Sequence, residues 1–448
     1  MRFEYFASVC ACVAALLVAA PAAAQPARDW ARCANDANAY SSEKAIKGCT
    51  AIIKAGRGER RELAIAFYNR ANAFYGAGDF DHAIDDYGAA IRLDPTYASA
   101  FSNRGNAYNI KGDPDKAIAD YEAAIRLNPT YAIALSNRAD VYRTKGDFDR
   151  AIADYSAAIQ ANPKRARLFL DRGSAFRGKG DTKSAITDFD QAVKLEPKYA
   201  DAYLSRGLAR YDEHDYDRAM ADFNQAIGLN HKQPKALYSR GLVYAARRDY
   251  DRAIADYSEA IHFDHNFAYA YGNRARAFRA RGDRDHAIAD FNESLALDPN
   301  NANDFNGRGL AYLDAKNYAQ AIADFTKASD LDPRYPFALS NRCWTRALAD
   351  RELRAALADC DAALAIKPDD VATLDRRALV YMKLRETDKA IADYDAVLRL
   401  DPDDALARYS RGVARERLGD VAGANADRAA AQSLQPGVAD AFEKLGLR

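Results

Sequence analysis

The sequence predicts an all-α solenoid of antiparallel helix hairpins, and three observations predict it. A 34-residue period runs through the chain: with Ala98 as position 1, arginine recurs at position 7 as Arg70, Arg104, Arg138, Arg172, Arg206, Arg240, Arg274, Arg308 and Arg342. After one inserted residue it continues as Arg377 and Arg411, and alanine holds position 20 in all eleven windows, from Ala83 to Ala424. Within a window the apolar residues fall at helical spacing, and no stretch alternates with the period of a strand. Such a period marks units that cannot bury their apolar face alone and must stack.

Residues 98–131 show how one unit is made. Phe101, Gly105 and Tyr108 stand at positions 4, 8 and 11, and Ala117, Tyr121 and Ala124 at positions 20, 24 and 27. With position 7 and position 23 added, each set follows i, i+3, i+4, i+7, one face of a helix. Gly112 and Asp113 between them supply a helix C-cap and an N-cap. Asn128-Pro129 ends the second helix, because proline cannot continue it. Proline recurs at position 32 in nine windows, with His231 and His265 in the other two, so eleven hairpins span residues 64–438.

Phe101, Gly105, Tyr108, Ala117, Tyr121, Ala124 and Pro129 resemble the pattern of the tetratricopeptide repeat family, and the match extends over more than four fifths of the chain. One departure is systematic: arginine replaces the family's usual leucine at position 7. The resemblance implies a right-handed superhelical solenoid that acts as a non-enzymatic scaffold or adaptor, with protein or peptide segments as partners in its concave groove. A structural subunit of a cell-envelope assembly is the main alternative. A small-molecule or glycan receptor is less favoured, because a wide groove rarely closes a pocket.

Residues 1–24 read as a secretory signal peptide. Arg2 and the amino terminus supply positive charge, an uncharged apolar run extends from Tyr5 to Ala20, and Ala22-Ala23-Ala24 offers the small residues of a cleavage site near Ala24-Gln25. An uncleaved anchor is the alternative, but Pro21 and the alanines favour cleavage and export, to a bacterial periplasm. Lys+Arg and Asp+Glu are equal at 64 each, so no bulk field attracts nucleic acid or anionic lipid. No later apolar run reaches the roughly 18 residues of a membrane span, so no membrane insertion is expected after cleavage.

Residues 25–63 form a degenerate repeat when the register is carried backward. Arg32 and Cys33 match positions 7 and 8, Ala45 and Cys49 match positions 20 and 24, and a few extra residues near Gly56 to Arg61 lengthen the connection to the next hairpin. Allowing for the inserted residue, Cys343 and Cys360 occupy the same two sites in the ninth regular repeat. Position 8 is where the two helices of a hairpin come closest. Disulfides Cys33–Cys49 and Cys343–Cys360 are therefore expected, with buried free thiols as the alternative.

Arginine at position 7 and aspartate at position 23 lie on the apolar stripes. The eleven arginines match Asp86, Asp120, Asp154, Asp188, Asp222, Asp256, Asp290, Asp324, Asp359, Asp393 and Asp427 in number. A ladder of partly buried structural ion pairs is expected, including Arg104, Asp120, Arg138, Asp154, Arg172 and Asp188. Spacing does not decide whether each arginine takes the aspartate of its own or of the preceding repeat.

The opposite face of the first helix carries positions 2, 5, 6, 9, 12 and 13, which the resemblance places in the groove. Position 6 reads Asn69, Asn103, Asn137, Asp171, Ser205, Ser239, Asn273, Gly307, Asn341, Arg376, Ser410. An amide is both donor and acceptor, so such a series suits the backbone of an extended peptide, and related repeat proteins use asparagines here in that way. The expected peptide-binding residues are Tyr68, Asn69, Asn72, Asn103, Asn106, Asn137, Asn273, Asn341 and Trp344. The alternative is a plain solvated helix face. From the fifth repeat onward the face turns apolar, with Leu204, Leu208, Tyr211, Tyr238, Leu242, Leu310, Leu313, Trp344, Leu379 and Met382. An exposed stripe of that extent would mark an interface, including self-association through the carboxy-terminal half.

No catalytic motif stands out, and neither a cofactor nor a metal is expected. The six histidines lie apart from any metal-ligand spacing except His262 and His265, where position 32 is ordinarily a turn. Residues 439–448 are expected to cap the last repeat through Phe442 and Leu445, leaving no room for an enzyme domain.

Overall fold

The computed structural model describes residues 24–35, 39–56 and 58–443, which fold into 25 helices without a strand. They fall into two compact units, Met1–Asp215 and Tyr216–Arg448. The first contains α1 (Ala24–Ala34), α2 (Ser42–Ala55), α3 (Arg60–Gly76), α4 (Phe80–Leu93), α5 (Ala98–Ile110) and α6 (Pro114–Leu127). It continues with α7 (Ala132–Thr144), α8 (Phe148–Ala161), α9 (Ala166–Lys179), α10 (Thr182–Leu195) and α11 (Ala200–Asp212). The second begins with α12 (Tyr216–Leu229), α13 (Pro234–Ala246), α14 (Tyr250–Phe263), α15 (Ala268–Ala280), α16 (Arg284–Leu297), α17 (Ala302–Asp314) and α18 (Tyr318–Leu331). It ends with α19 (Pro336–Leu348), α20 (Leu353–Ile366), α21 (Val371–Lys383), α22 (Thr387–Leu400), α23 (Ala405–Arg417), α24 (Val421–Leu434) and α25 (Val438–Glu443). Within each unit, a first helix packs on the second helix of its hairpin, which packs on the first helix of the next.

Side-chain size sets these packings. Alanine at position 20 is wholly buried, and the aromatic at position 24 (Tyr87, Tyr121, Tyr155, Phe189, Phe291) lies beneath it in the hairpin. Position 8 is small because the ring of position 24 lies against it: a Cβ on Gly105 would stand 2.8 Å from the Tyr121 ring, and one on Gly173 2.7 Å from Phe189. The turns repeat as well. Asp113, Asp147 and Asp181 each accept a hydrogen bond from the backbone three residues on, capping the second helix. The residue before each cap is left-handed: glycine at Gly112, Gly146 and Gly180, but His214, Arg248, Lys316 and Arg385 elsewhere, all with φ of 60°.

Disulfides join Cys33 to Cys49 and Cys343 to Cys360, with Cα atoms 4.6 and 5.5 Å apart, and all four residues are buried. The extra residue of the ninth repeat sits between α19 and α20, where Asp350 and Glu352 both take positive φ. The residues before Ala64 do not lengthen the connection as expected. Most of them extend α3 instead, because Glu59 and Glu62 form a reciprocal capping box that starts the helix at Arg60.

At the carboxy-terminal end, α25 buries Val438 and Phe442, whose ring centroid lies 5.3 Å from that of Tyr409. Leu445 and residues 1–23 of the signal peptide expected over residues 1–24 lie outside the described residues. Among the described residues no helix is long and apolar enough to cross a membrane.

Candidate peptide groove

The helices that carry the candidate groove residues also carry charges on their opposite stripe. In ten repeats, from Arg70–Asp86 to Arg411–Asp427, the arginine grips the aspartate of its own hairpin through Nε and Nη2. Both bonds of Arg172 to Asp188 measure 2.7 Å. The hydrogen bond to Asp120 pushes the Arg104 pKa above its ordinary value, against the opposing effect of burial. The remaining nitrogen, Nη1, reaches back one hairpin. Arg172 meets Ser156 at 3.0 Å, Arg240 meets Asn224 at 2.8 Å, Arg308 meets Asn292 at 2.7 Å and Arg377 meets Asp361 at 2.8 Å. Arg206 donates in the same way to Asp190 at 2.6 Å. In five repeats (Arg70, Arg104, Arg172, Arg274 and Arg308) the guanidinium also lies between the rings of positions 4 and 11, as Arg104 does between Phe101 (5.7 Å) and Tyr108 (5.9 Å).

The asparagines of the first repeats form a connected network. Asn72 accepts from the Tyr87 hydroxyl at 2.6 Å and from the Asn103 amide at 3.1 Å, and Asn103 also donates to the Tyr68 hydroxyl at 3.0 Å. One repeat on, Asn106 accepts from Tyr121 at 2.7 Å and from Asn137 at 2.8 Å. In the third repeat Asp140 takes over the acceptor role, binding Tyr155 at 2.7 Å and Arg143 at 3.2 Å. Burial pushes the Tyr87, Tyr121 and Tyr155 hydroxyls well above the ordinary range, so they remain protonated donors. Position 6 of one repeat is thus tied to position 9 of the repeat before. Asn69 makes no hydrogen bond among the described residues and lines a cavity of about 280 Å³ beside Asn72 and Cys33.

In the second unit, Asn273 donates to the Tyr238 hydroxyl and to the Tyr269 carbonyl, both at 2.9 Å. Asn341 donates to Asn306 at 2.9 Å and accepts from Arg376 at 3.1 Å. Arg376 also lies 5.9 Å from the Trp344 ring. Trp344 is only half-buried, and Asn341 is buried.

The expected exposed apolar stripe is not formed. Leu204, Leu379 and Met382 are buried, and Leu208, Tyr211, Tyr238, Leu242, Leu310, Leu313 and Trp344 are half-buried. Successive first helices lie close enough that position 9 and position 12 side chains pack between them: Leu379 and Met382 of α21 join one core with Ala347 of α19 and Ala414 of α23. The resemblance had placed these positions in an open groove.

Descriptions of the tetratricopeptide repeat match residues 98–131, 234–267 and 302–335, with further repeat matches over 71–109, 136–200, 170–234, 275–316 and 378–419. The chain belongs to the tetratricopeptide repeat family. Similar solved structures include a tetratricopeptide repeat protein from Parabacteroides merdae, 22% identical, covering 55% of this chain and 98% of its own at a TM-score of 0.46. The Cut9-Hcn1 hetero-tetramer of APC/C is 14% identical over 94% of this chain and 98% of that one, with a TM-score of 0.49. MamA is 32% identical over 37% of this chain and 96% of its own, with a TM-score of 0.33. No curated protein sequence matches the chain.

Two features of this tetratricopeptide repeat protein escaped the sequence reading. One is the Nη1 acceptor at position 25 of the preceding repeat, visible beforehand only as a run of polar residues (Thr50, Ser156, Asp190, Asn224, Ser258, Asn292) on a helix surface. The other is an exposed ladder joining position 14 of one repeat to position 18 of the one before, as in Lys145–Asp115 at 2.7 Å and Arg281–Asp251 at 2.8 Å. Exposed pairs of this kind add little stability.

Proposed function

We propose that the protein is a non-enzymatic scaffold that binds an extended segment of another protein along the face of positions 2, 6 and 9, beginning in its amino-terminal repeats. The observation that supports this reading is the Tyr–Asn–Asn network of the first three repeats. It holds Asn72, Asn103, Asn106 and Asn137 in fixed orientations while using only part of each amide's hydrogen-bonding capacity, and Asn69 uses none of it. Amides fixed before binding lose little entropy when a peptide backbone arrives. Export to a periplasm is part of the proposal, supported by two buried disulfides in a chain that opens with an apolar leader.

The experiment is selection of random linear peptides on the immobilised protein, beside Asn69→Ala and the triple variant with Asn103→Ala and Asn137→Ala added. Peptides retained by the wild type and lost stepwise by the two variants support the reading. Equal retention by all three proteins removes the asparagines from recognition.

A further inference from the structure

Five departures from the repeat pattern meet in one place in the second unit. Gly272 stands at position 5, Arg276 at position 9, Ser294 at position 27, Asp304 at position 3, where most windows carry alanine, and Gly307 at position 6. Asp304 is buried at 2% exposure, accepts from the Ser294 hydroxyl at 2.6 Å and pairs with Arg276. Gly272 makes room for it, since a Cβ there would lie 2.7 Å from the Asp304 carboxylate. Gly307 does the same for Phe291, whose ring would be 2.5 Å from a Cβ. Beside them lies a cavity of about 390 Å³, lined by Tyr269, Arg276, Phe291, Asn303, Leu310 and Tyr335.

The lining fixes the chemistry of an occupant. Three rings and a leucine offer apolar walls. Arg276 lies 5.6 Å from the Phe291 ring and is paired with Asp304, and the second lining arginine, Arg279, is paired with Asp314, so each charge at the cavity already has a partner. Neither a carboxylate nor an ammonium group finds an unmatched partner there. Tyr269 is 64% exposed and Phe337, at the same position two repeats on and 6.0 Å from the Tyr335 ring, is 54% exposed. An exposed ring at the mouth, with the Phe291 and Tyr335 rings in the lining, suits a planar guest.

We propose that this cavity is a specificity pocket for a tyrosine-like side chain of the bound segment, its ring against Tyr269 and Phe291 and its hydroxyl among Arg276 and Asn303. The proposal rests on the groove reading above and names what one part of that groove selects. Saturation-transfer NMR with N-acetyl-tyrosinamide tests it on the full chain, with N-acetyl-alaninamide and methyl glucoside as comparison probes. Tyr269→Ala removes a wall and Asn303→Trp fills the mouth; both positions are exposed, and unchanged melting verifies the fold. The expected result is a tyrosinamide signal in the wild type, reduced about fivefold or more in both variants, with little from alaninamide. An equal signal in all three proteins, or preference for the glucoside, overturns the proposal. Peptides captured through Asn69 while tyrosinamide ignores the cavity would overturn the pocket and leave the groove standing. Tyrosinamide binding without peptide capture would do the reverse.

Discussion

Arg172 and Asp188 face each other through two hydrogen bonds of 2.7 Å, while the third nitrogen of the arginine reaches the Ser156 hydroxyl of the preceding hairpin at 3.0 Å. The same three-pronged arrangement recurs along both units. Where it is complete, it closes a hairpin and ties it to its predecessor at one point, on the stripe opposite the position 6 and position 9 residues of the same helices. Desolvating two charges offsets much of their attraction, so such pairs specify register more than they add stability.

Removing one partner should therefore cost more than removing both. Asp188→Ala leaves Arg172 half-buried without its carboxylate and is expected to destabilise by about 3 kcal/mol. Replacing Arg172 by Met and Asp188 by Leu together should cost clearly less. Urea unfolding monitored alongside hydrogen exchange in α9 and α10 checks this, and equal costs would mean that the two side chains do not act as a pair.

Arg104 lacks the third prong. The position that supplies Ser156 or Asn224 elsewhere is Gly88 in the first repeat, and a Cβ there would stand 3.5 Å from Arg104 Nη1, an ordinary contact. Gly88→Ser should supply an acceptor and remove a helix-interior glycine, raising stability by about 1 kcal/mol. A rise in the urea midpoint is the expected outcome; a fall would show that the back-reaching bond contributes nothing.

The turn at Arg248 tests the left-handed position. Gly146 occupies the equivalent site at φ 77° at no steric cost, whereas Arg248 takes φ 60° with a side chain attached. Arg248→Gly should stabilise by up to about 1 kcal/mol and Gly146→Ala should destabilise by about the same amount, both read from thermal melts.

Hairpins, caps, cysteine sites and the arginine–aspartate series were legible because each depends on spacing within one repeat. The Ala64 helix start was misplaced because the Glu59–Glu62 box is local and falls outside the period. The apolar stripe was misread for a different reason. Whether Leu379 and Met382 face solvent depends on how closely α21 approaches its neighbours, and a single helix pattern carries no information about that distance. The asparagines were legible as a series, but their bonds were not, because these join a tyrosine 15 residues away, as in Tyr87–Asn72, or an asparagine 31 residues away, as in Asn103–Asn72.

Asp375 gives a pH signature. Burial, with the nearby Asp404 charge, raises its pKa from 3.8 to about 7, and only the adjacent Arg376 opposes this. The folded chain keeps a proton that the unfolded chain releases, so stability falls as pH rises from about 3.8 to about 7. Asp375→Asn should flatten that slope and stabilise the protein at pH 7.5 by about 1–2 kcal/mol, allowing for solvent screening at this half-buried site. Melting temperatures between pH 5 and pH 7.5 decide it, and an unchanged slope would place the titration elsewhere.

The central claim is that amides fixed by the Tyr–Asn network read a peptide backbone. The most direct measurement is calorimetry of one selected peptide, unmodified and N-methylated along its backbone, against wild type and Asn69→Ala. The account predicts that methylation weakens wild-type binding by about tenfold, and that Asn69→Ala loses affinity for the unmodified peptide with little further loss on methylation. Equal affinity of both peptides for the wild type would contradict it, whatever else the groove binds.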